Sequence, residues 1–199
     1  MVAVSFVHQK GGTGKSTLAI SSAVALAQAG NRVLLLDADY QGTSSEWGNR
    51  FGHRFQVATR SQVQPILHRE MPGLREAYEW IVIDSPPTLS EMTESVVRAS
   101  DTVIIPVRPA LPEIWALPWL VAIIRKLGQR EKVAVPRVVF NQYAGEDLAP
   151  LREQISAWNL PVHPHTIPVD LAFPAVFSGR PLPGPLAEHV LRLIDPGQY

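Results

Sequence analysis

The stretch FVHQKGGTGKSTLAI, Phe6 to Ile20, decides how this chain is read. It leads from an apolar run, VAVSFV at Val2–Val7, through a glycine-rich turn into the helical pattern STLAISSAVALAQAG, which Gly30 closes. Glycines between a strand and a helix expose backbone N–H groups, and the helix N-terminus adds partial positive charge, so the segment is suited to hold phosphate. Gly11, Gly12, Thr13, Gly14, Lys15, Ser16 and Thr17 form the candidate cradle. Lys15 is placed to reach β- and γ-phosphates of a nucleotide, and the Ser16 hydroxyl to bind Mg²⁺. Two features depart from the usual spacing G-x-x-x-x-G-K-[ST]: Gln9 stands where the first glycine belongs, and Lys10 adds a second lysine. Only four of the 18 basic residues are lysines, and two of those four lie in this loop.

Outward from the loop, apolar strands alternate with helical patterns. RVLLLDAD (Arg32–Asp39) reads as a strand, RFQVAT around Phe55 as a weaker one, with a helix within Ser61–Ala77. WIVIDSPP (Trp80–Pro87) is a strand stopped by prolines, EMTESVVRAS a helix and DTVIIPV a strand. PEIWALPWLVAIIRKLG is expected as a helix interrupted or bent at Pro118, PRVVFNQ as a strand, and about Gly145–Trp158 as a helix. A short strand or extended segment around Val162–Ile167, a loop near Ser178–Pro185 and a last helix at Leu186–Ile194 complete the pattern. Continuous apolar strands separated by helices imply an α/β fold with a mostly parallel central β-sheet flanked by helices on both faces, and the glycine-rich loop after its first strand makes a P-loop NTPase the expected form. No repeat, low-complexity stretch or linker divides residues 1–199, so one domain is expected. Ligands of such sheets bind beyond the carboxyl ends of the strands.

Three aspartates fall at those ends. Asp37 and Asp39 close the second strand, and different jobs are expected of them, one facing the phosphates and the other bracing the loop. Asp84 ends WIVID and suits a Walker B role, holding Mg²⁺ directly or through water. Ser16, Asp37 and Asp84 are therefore the metal candidates. A lone aspartate at a strand end often only caps a turn; three in this order after a phosphate loop argue for a site.

Composition narrows the function classes. With no cysteine, disulfides, thiolate zinc, iron–sulfur clusters and cysteine nucleophiles are excluded. Hydrophobic content of 46% with 18% charged residues is ordinary for a globular protein. No secretory signal and no apolar run of membrane-spanning length is recognisable, so a cytoplasmic protein is expected. Net charge is zero, so any hold on nucleic acid must come from a local patch.

KGGTGKST (Lys10–Thr17), LLLDADYQG (Leu34–Gly42) and YEWIVIDSPPTLS (Tyr78–Ser90) together resemble the ParA/MinD family of ATPases with a deviant Walker A motif. Weaker likeness runs through DTVIIPVRP, VVFNQ and IPVDLAFPAVFSGRPL, which extends it over nearly the whole chain. The resemblance implies ATP and Mg²⁺ as cofactors and an ATP-dependent homodimer. It makes Lys10 the signature lysine that crosses to the nucleotide of the opposite subunit, neutralising phosphate charge as an arginine finger does. Asp39 matches the residue that positions the attacking water, with Asp37 its companion. Lys10, Lys15 and Asp39 are thus the catalytic candidates. Asn141 resembles the asparagine that contacts adenine, a turn residue being the alternative, and Pro168 marks the segment packing against the base.

Within the family, the chain resembles the short ParA form without an N-terminal helix-turn-helix domain. That form implies non-specific DNA binding by the ATP-bound dimer, nucleoid association, and a ParB-like or cargo-adaptor protein that stimulates hydrolysis. RKLGQREKVAVPR (Arg125–Arg137) carries five of the 18 basic residues with one acid. Arg125, Lys126, Arg130, Lys132, Arg152 and Arg180 are the DNA-contact candidates, a solvated helix end being the plainer reading. A MinD-like membrane ATPase is the nearest alternative. The ending LAEHVLRLIDPGQY balances one arginine with two acids and closes on a proline–glycine turn, unlike a basic membrane-binding helix. A small-molecule ATP-dependent synthetase on the same fold is the other. His163 and His165 have the spacing of two same-face strand residues but no third metal ligand, and Trp115 and Trp119 read as packing or interface residues.

Overall fold

The computed structural model describes residues 1–195. The proline–glycine turn expected at Pro196–Gly197, and Tyr199, lie outside the described residues. β1 (Val2–Phe6) runs into the glycine-rich loop and α1 (Lys15–Gln28), followed by β2 (Val33–Asp37). A helical stretch then holds α2 (Thr43–Trp47), a π-helical turn at Gly48–Gly52 and α3 (His53–Phe55), before β3 (Val57–Ser61). α4 (Leu67–Ala77), β4 (Trp80–Asp84), α5 (Glu91–Ala99) and β5 (Thr102–Val107) continue the alternation. α6 (Leu111–Ile114) and α7 (Leu117–Gly128) precede β6 (Arg137–Tyr143), α8 (Ala149–Ser156) and β7 (Ile167–Pro168). α9 (Ala172–Ala175), a 3₁₀ turn at Val176–Ser178 and α10 (Gly184–Ile194) end the described chain.

The strands form one sheet in the order β3-β2-β4-β1-β5-β6-β7. Every pairing among the named strands is parallel, so the expected mostly parallel sheet has no antiparallel member among the described residues. All residues of β2 and β5 are buried, as a sheet covered on both faces requires. On one face α4, α5, α7 and α8 pack Leu67, Met71, Val97, Leu120, Ile124 and Ile155 onto the sheet. On the other, α1, α2, α9 and α10 supply Leu18, Val24, Trp47, Phe173, Val190 and Leu193. α1 is buried without a break from Leu18 to Leu26, because the sheet lies on one side and α10 on another. Its alanines and serines let these layers approach closely. β1 has β2 and β3 to one side and β5, β6 and β7 to the other. The chain reverses its direction of winding there, which opens a crevice at the carboxyl end of β1.

Several boundaries differ from the sequence pattern, each for a local reason. The helix expected to be interrupted or bent at Pro118 is interrupted, but earlier, at Trp115–Ala116; Pro118 sits in the first turn of α7, where its missing N–H costs nothing. α8 starts at Ala149 rather than Gly145, since Gly145 takes φ 108 and Asp147 Oδ1 accepts the Ala149 N–H at 3.0 Å. The short strand or extended segment expected around Val162–Ile167 takes the form of an isolated bridge, Val138 to Val162, and the two-residue β7. The helical stretch between β2 and β3 is absent from the sequence reading. It requires Gly48, where a Cβ would stand 2.2 Å from the Thr59 hydroxyl.

Candidate nucleotide-binding site

β1 ends with its last residues buried, and the loop that follows carries glycines where the backbone must turn left-handed: Gly12 at φ 76 and Gly14 at φ 93. Gly14 caps α1, and its carbonyl accepts the Leu18 N–H at 2.9 Å, so the helix starts with its first N–H groups open toward the crevice. Two shallow cavities of about 260 Å³ meet at Gly14 and Thr17. One is lined by Gly11, Gly12, Lys15, Ser16, Asp39 and Thr43, the phosphate-side residues, together with Pro87 and Phe177. The other lies between Asn141, Gln142, Pro168 and the Val169–Pro174 turn, and offers the mainly apolar walls that a planar base needs. The sequence candidates Gly14, Thr17, Asn141 and Pro168 thus line one cleft, and Gly11, Gly12, Lys15, Ser16 and Asp39 the other, while Thr13 is buried beneath the loop.

The two lysines of the loop point to different places. Lys15 is buried, with Nζ donating to the Lys10 carbonyl at 3.0 Å across the loop. Burial lowers its pKa, and the Asp84 and Asp39 charges oppose the shift. Lys10 Nζ turns away from the phosphate cavity and donates to the Pro112 carbonyl of α6 at 2.7 Å, 3.9 Å from Glu113 Oε1. The Lys10 N–H donates to His8 Nδ1 at 2.9 Å, which leaves the ring proton of neutral His8 on Nε2. Burial, helped by the Lys15 charge, pulls the His8 pKa down to about 4, so this imidazole is neutral at physiological pH. Gln9, in place of the usual glycine, donates its amide to the Ala116 carbonyl at 2.6 Å.

Asp37 and Asp39 make different contacts. Residues two apart on a strand share a face, so strand alternation is not what separates them. β2 ends at Asp37, and the chain turns before Asp39. Asp37 is buried and accepts the Asp39 N–H at 3.1 Å and the Ser45 N–H at 2.7 Å, bracing the turn with both oxygens. Burial raises its pKa, and those two N–H bonds oppose the rise. Asp39 lines the phosphate cavity and accepts the Gln41 N–H at 3.0 Å.

Asp84 is Asp37's register partner across β2 and β4 and is fully buried. Its Oδ2 accepts the Ser44 hydroxyl at 2.7 Å, and the neighbouring Ser16 hydroxyl also favours the charged carboxylate. Burial nonetheless raises its pKa to about 7, and Oδ1 is buried with no hydrogen-bond partner. A buried carboxylate with an oxygen to spare, beside a serine hydroxyl at a helix N-terminus, is a hard-oxygen set suited to Mg²⁺. Among the described residues no cluster of three or more His, Cys, Asp or Glu side chains forms a closed metal cage. A Mg²⁺ held here takes its remaining ligands from water and phosphate, which is how that ion binds to nucleotides. Ser44 and Thr43 went unrecognised in the sequence; the signal was the Thr-Ser-Ser run directly after Gly42.

Comparison with known proteins accords with this geometry. The model of the CobQ/CobB/MinD/ParA nucleotide binding domain matches residues 4–182. The chain belongs to that family. Over 110 residues it is 40% identical to the maintenance of carboxysome distribution protein A of Gloeobacter kilaueensis, a match spanning 54% of this chain and 49% of that relative. This chain therefore matches about half the length of that protein. The chromosome-partitioning ATPase Soj of Thermus thermophilus is 26% identical over 185 residues, covering 77% of this chain and 74% of Soj. A putative plasmid partition protein of Borrelia burgdorferi, solved with AMPPNP, superposes with a TM-score of 0.76 at 18% identity over 96% of this chain and 97% of its own, a likeness of fold.

The six basic candidates for DNA contact do not form one patch. Arg125, Lys126, Arg130 and Lys132 cluster around the carboxyl end of α7, whereas Arg180 lies on the segment covering the opposite face of the sheet. Arg125 donates to the Trp158 carbonyl, and the Arg152 guanidinium lies 5.5 Å from the centre of the Phe140 ring. Lys126, Arg130, Lys132 and Arg180 are exposed. No helix among the described residues is long and apolar enough to cross a membrane. His163 and His165 bond to each other through the His165 N–H and His163 Nδ1 at 3.1 Å, a local turn.

Proposed function

We propose that this chain is a ParA-type ATPase that uses ATP and Mg²⁺ to switch between monomer and homodimer. As a dimer it binds DNA without sequence preference and positions plasmid or chromosomal DNA, or another large cargo. The observation that carries the reading is the division between the two loop lysines. Lys15 lines the phosphate cavity, while the Lys10 ammonium lies outside it against α6, exposed enough to reach a neighbouring molecule. Lys15 and the α1 N-terminus hold the phosphates of their own subunit, and Lys10 serves those of the opposite one. Mg²⁺, when bound, neutralises phosphate charge, and Ser16 and Asp84 are the residues to hold it, with Asp37 keeping the adjoining turn in place. Asp39 faces the phosphate side and orients the attacking water. Asn141 and the turn from Pro168 border the base.

In this reading the protein resides in the cytoplasm, joins the nucleoid while ATP-bound, and is released when a ParB-like or cargo-adaptor protein stimulates hydrolysis. The test is a gel shift on random duplex DNA with ATP, ADP or no nucleotide. Salt-sensitive retardation with ATP alone is expected. Equal retardation in all three conditions, or none with ATP, overturns the DNA-binding part.

A further inference from the structure

The first two residues of the departing loop are both tied to one short element. Gln9 donates to the Ala116 carbonyl at 2.6 Å, and Lys10 to the Pro112 carbonyl at 2.7 Å. Between these carbonyls stands Glu113, whose side chain is only 5% exposed. Its Oε1 lies 3.9 Å from Lys10 Nζ and also accepts from the Arg108 guanidinium, while Oε2 is buried with no partner. A buried carboxylate holds its cations strongly because it has no water to replace them. Here two cations share one oxygen, so each weakens the other's hold. Lys10 itself is 37% exposed and rests at the protein surface, open to solvent on its outer side.

We propose that Glu113 is a positioning residue for Lys10: it parks the ammonium on α6 until the phosphates of a second subunit's nucleotide displace it. The proposal rests on Lys10 acting across the dimer and adds the restraint that opposes that action. To engage a partner's phosphate, Lys10 must give up the Pro112 carbonyl and the Glu113 carboxylate. Both bonds therefore subtract from the gain on dimerisation, and Glu113 sets part of the threshold. Arg108 acts in the opposite sense, since it competes with Lys10 for the same oxygen.

Sedimentation velocity across a range of protein concentrations, with saturating Mg²⁺ and a non-hydrolysable ATP analogue, tests this. Glu113→Gln keeps the shape but removes the charge, and is expected to lower the concentration at half-dimerisation about threefold, the scale of a partly exposed ion pair. Arg108→Ala is expected to raise it, because Glu113 then holds Lys10 alone, and Glu113→Asp to behave as the parent. In a Lys10→Ala background neither Glu113→Gln nor Arg108→Ala should shift the threshold further. Opposite shifts that vanish without Lys10 are beyond what a general packing defect produces. A Glu113→Gln threshold equal to or above the parent's overturns the proposal, as does a shift that persists in Lys10→Ala. Should Glu113→Gln fail to fold, the direction of the Arg108→Ala shift and its dependence on Lys10 decide alone. If Lys10→Ala by itself dimerises and turns over like the parent, the trans-acting lysine is wrong; if Lys10→Ala is defective while Glu113→Gln gains nothing, only the parking is wrong.

Discussion

Asn141 on β6 donates its side-chain amide to the Thr13 carbonyl at 2.8 Å, and a Cβ on Gly14 would stand 2.2 Å from the same nitrogen. The asparagine therefore fixes the loop from below at the one point where the backbone passes closest, which explains why glycine is required there beyond its φ of 93. Asn141→Ala leaves the buried Thr13 carbonyl unpaired, at a cost of about 1–3 kcal/mol. Urea titration should show that loss together with weaker ATP binding. Weaker ATP binding at unchanged stability would mean that Asn141 touches the base and does nothing for the loop. Gly14→Ala should lose ATP binding outright, since both the clash and the left-handed backbone oppose it.

Lys15 and Asp39 line the same cavity but are expected to fail differently. Lys15→Ala removes the buried ammonium proposed to meet the phosphates and should abolish ATP binding in a fluorescent-nucleotide titration. Asp39→Ala should bind ATP and dimerise yet turn over at least about a hundredfold more slowly, the usual scale for a lost general base or water-positioning group. Sedimentation that finds only monomer with ATP would remove Asp39 from that role.

Asp84 makes the unliganded protein sensitive to pH. Its carboxyl is raised from 3.8 to about 7 by burial, so the folded state holds a proton that the unfolded chain releases above pH 4. The stability this group contributes is full below about pH 4 and is lost as pH rises toward and through 7. His8 works the other way: its pKa is lowered from 6.5 to about 4, so its contribution is full above pH 6.5 and lost as pH falls toward 4. Because the two slopes oppose each other, the readout is the difference between variant and parent. Asp84→Asn should melt higher than the parent at pH 8, by at least about 3 °C, with the advantage gone at pH 4. Mg²⁺ with ATP should stabilise the parent more than the variant; an equal gain in both would detach Asp84 from the cation.

The phosphate loop was legible because its chemistry is local. Glycine spacing, a lysine and a hydroxyl at a helix start need no knowledge of distant residues, and Asp37, Asp39 and Asp84 follow once strands are placed by their apolar runs. The mostly parallel sheet with helices on both faces also follows from the β–α alternation, whereas the order of the strands does not. What stayed hidden depends on contacts between distant segments. Nothing in the sequence shows that Gln9 and Lys10 reach across about a hundred residues to Ala116 and Pro112, or that Ser44 bonds to Asp84. The helical stretch from α2 to α3 contains two glycines, Gly48 and Gly52, which weaken its local helical propensity. In the fold Gly48 lets the helix lie against Thr59, and Trp47 is buried with its indole N–H donating to the Val176 carbonyl at 2.8 Å, so tertiary packing overrides weak local propensity.

The basic residues separate into two groups that mutation should tell apart. Arg125 is bound to the Trp158 carbonyl and Arg152 packs over Phe140, so alanine at either is expected to act on stability, by about 1 kcal/mol or less. Lys126, Arg130 and Lys132 are exposed at the end of α7 and take no part in those contacts. If that end meets duplex DNA, replacing each should weaken binding equally on all sequences, and each lost phosphate contact should reduce the slope of log K against log salt by about one. Arg180 is exposed on the segment between Val176 and Leu182, which packs on the opposite face of the sheet, so Arg180→Ala should leave that slope unchanged. A slope that falls with Arg180→Ala but not with the α7 variants would move the DNA surface to the other side of the molecule.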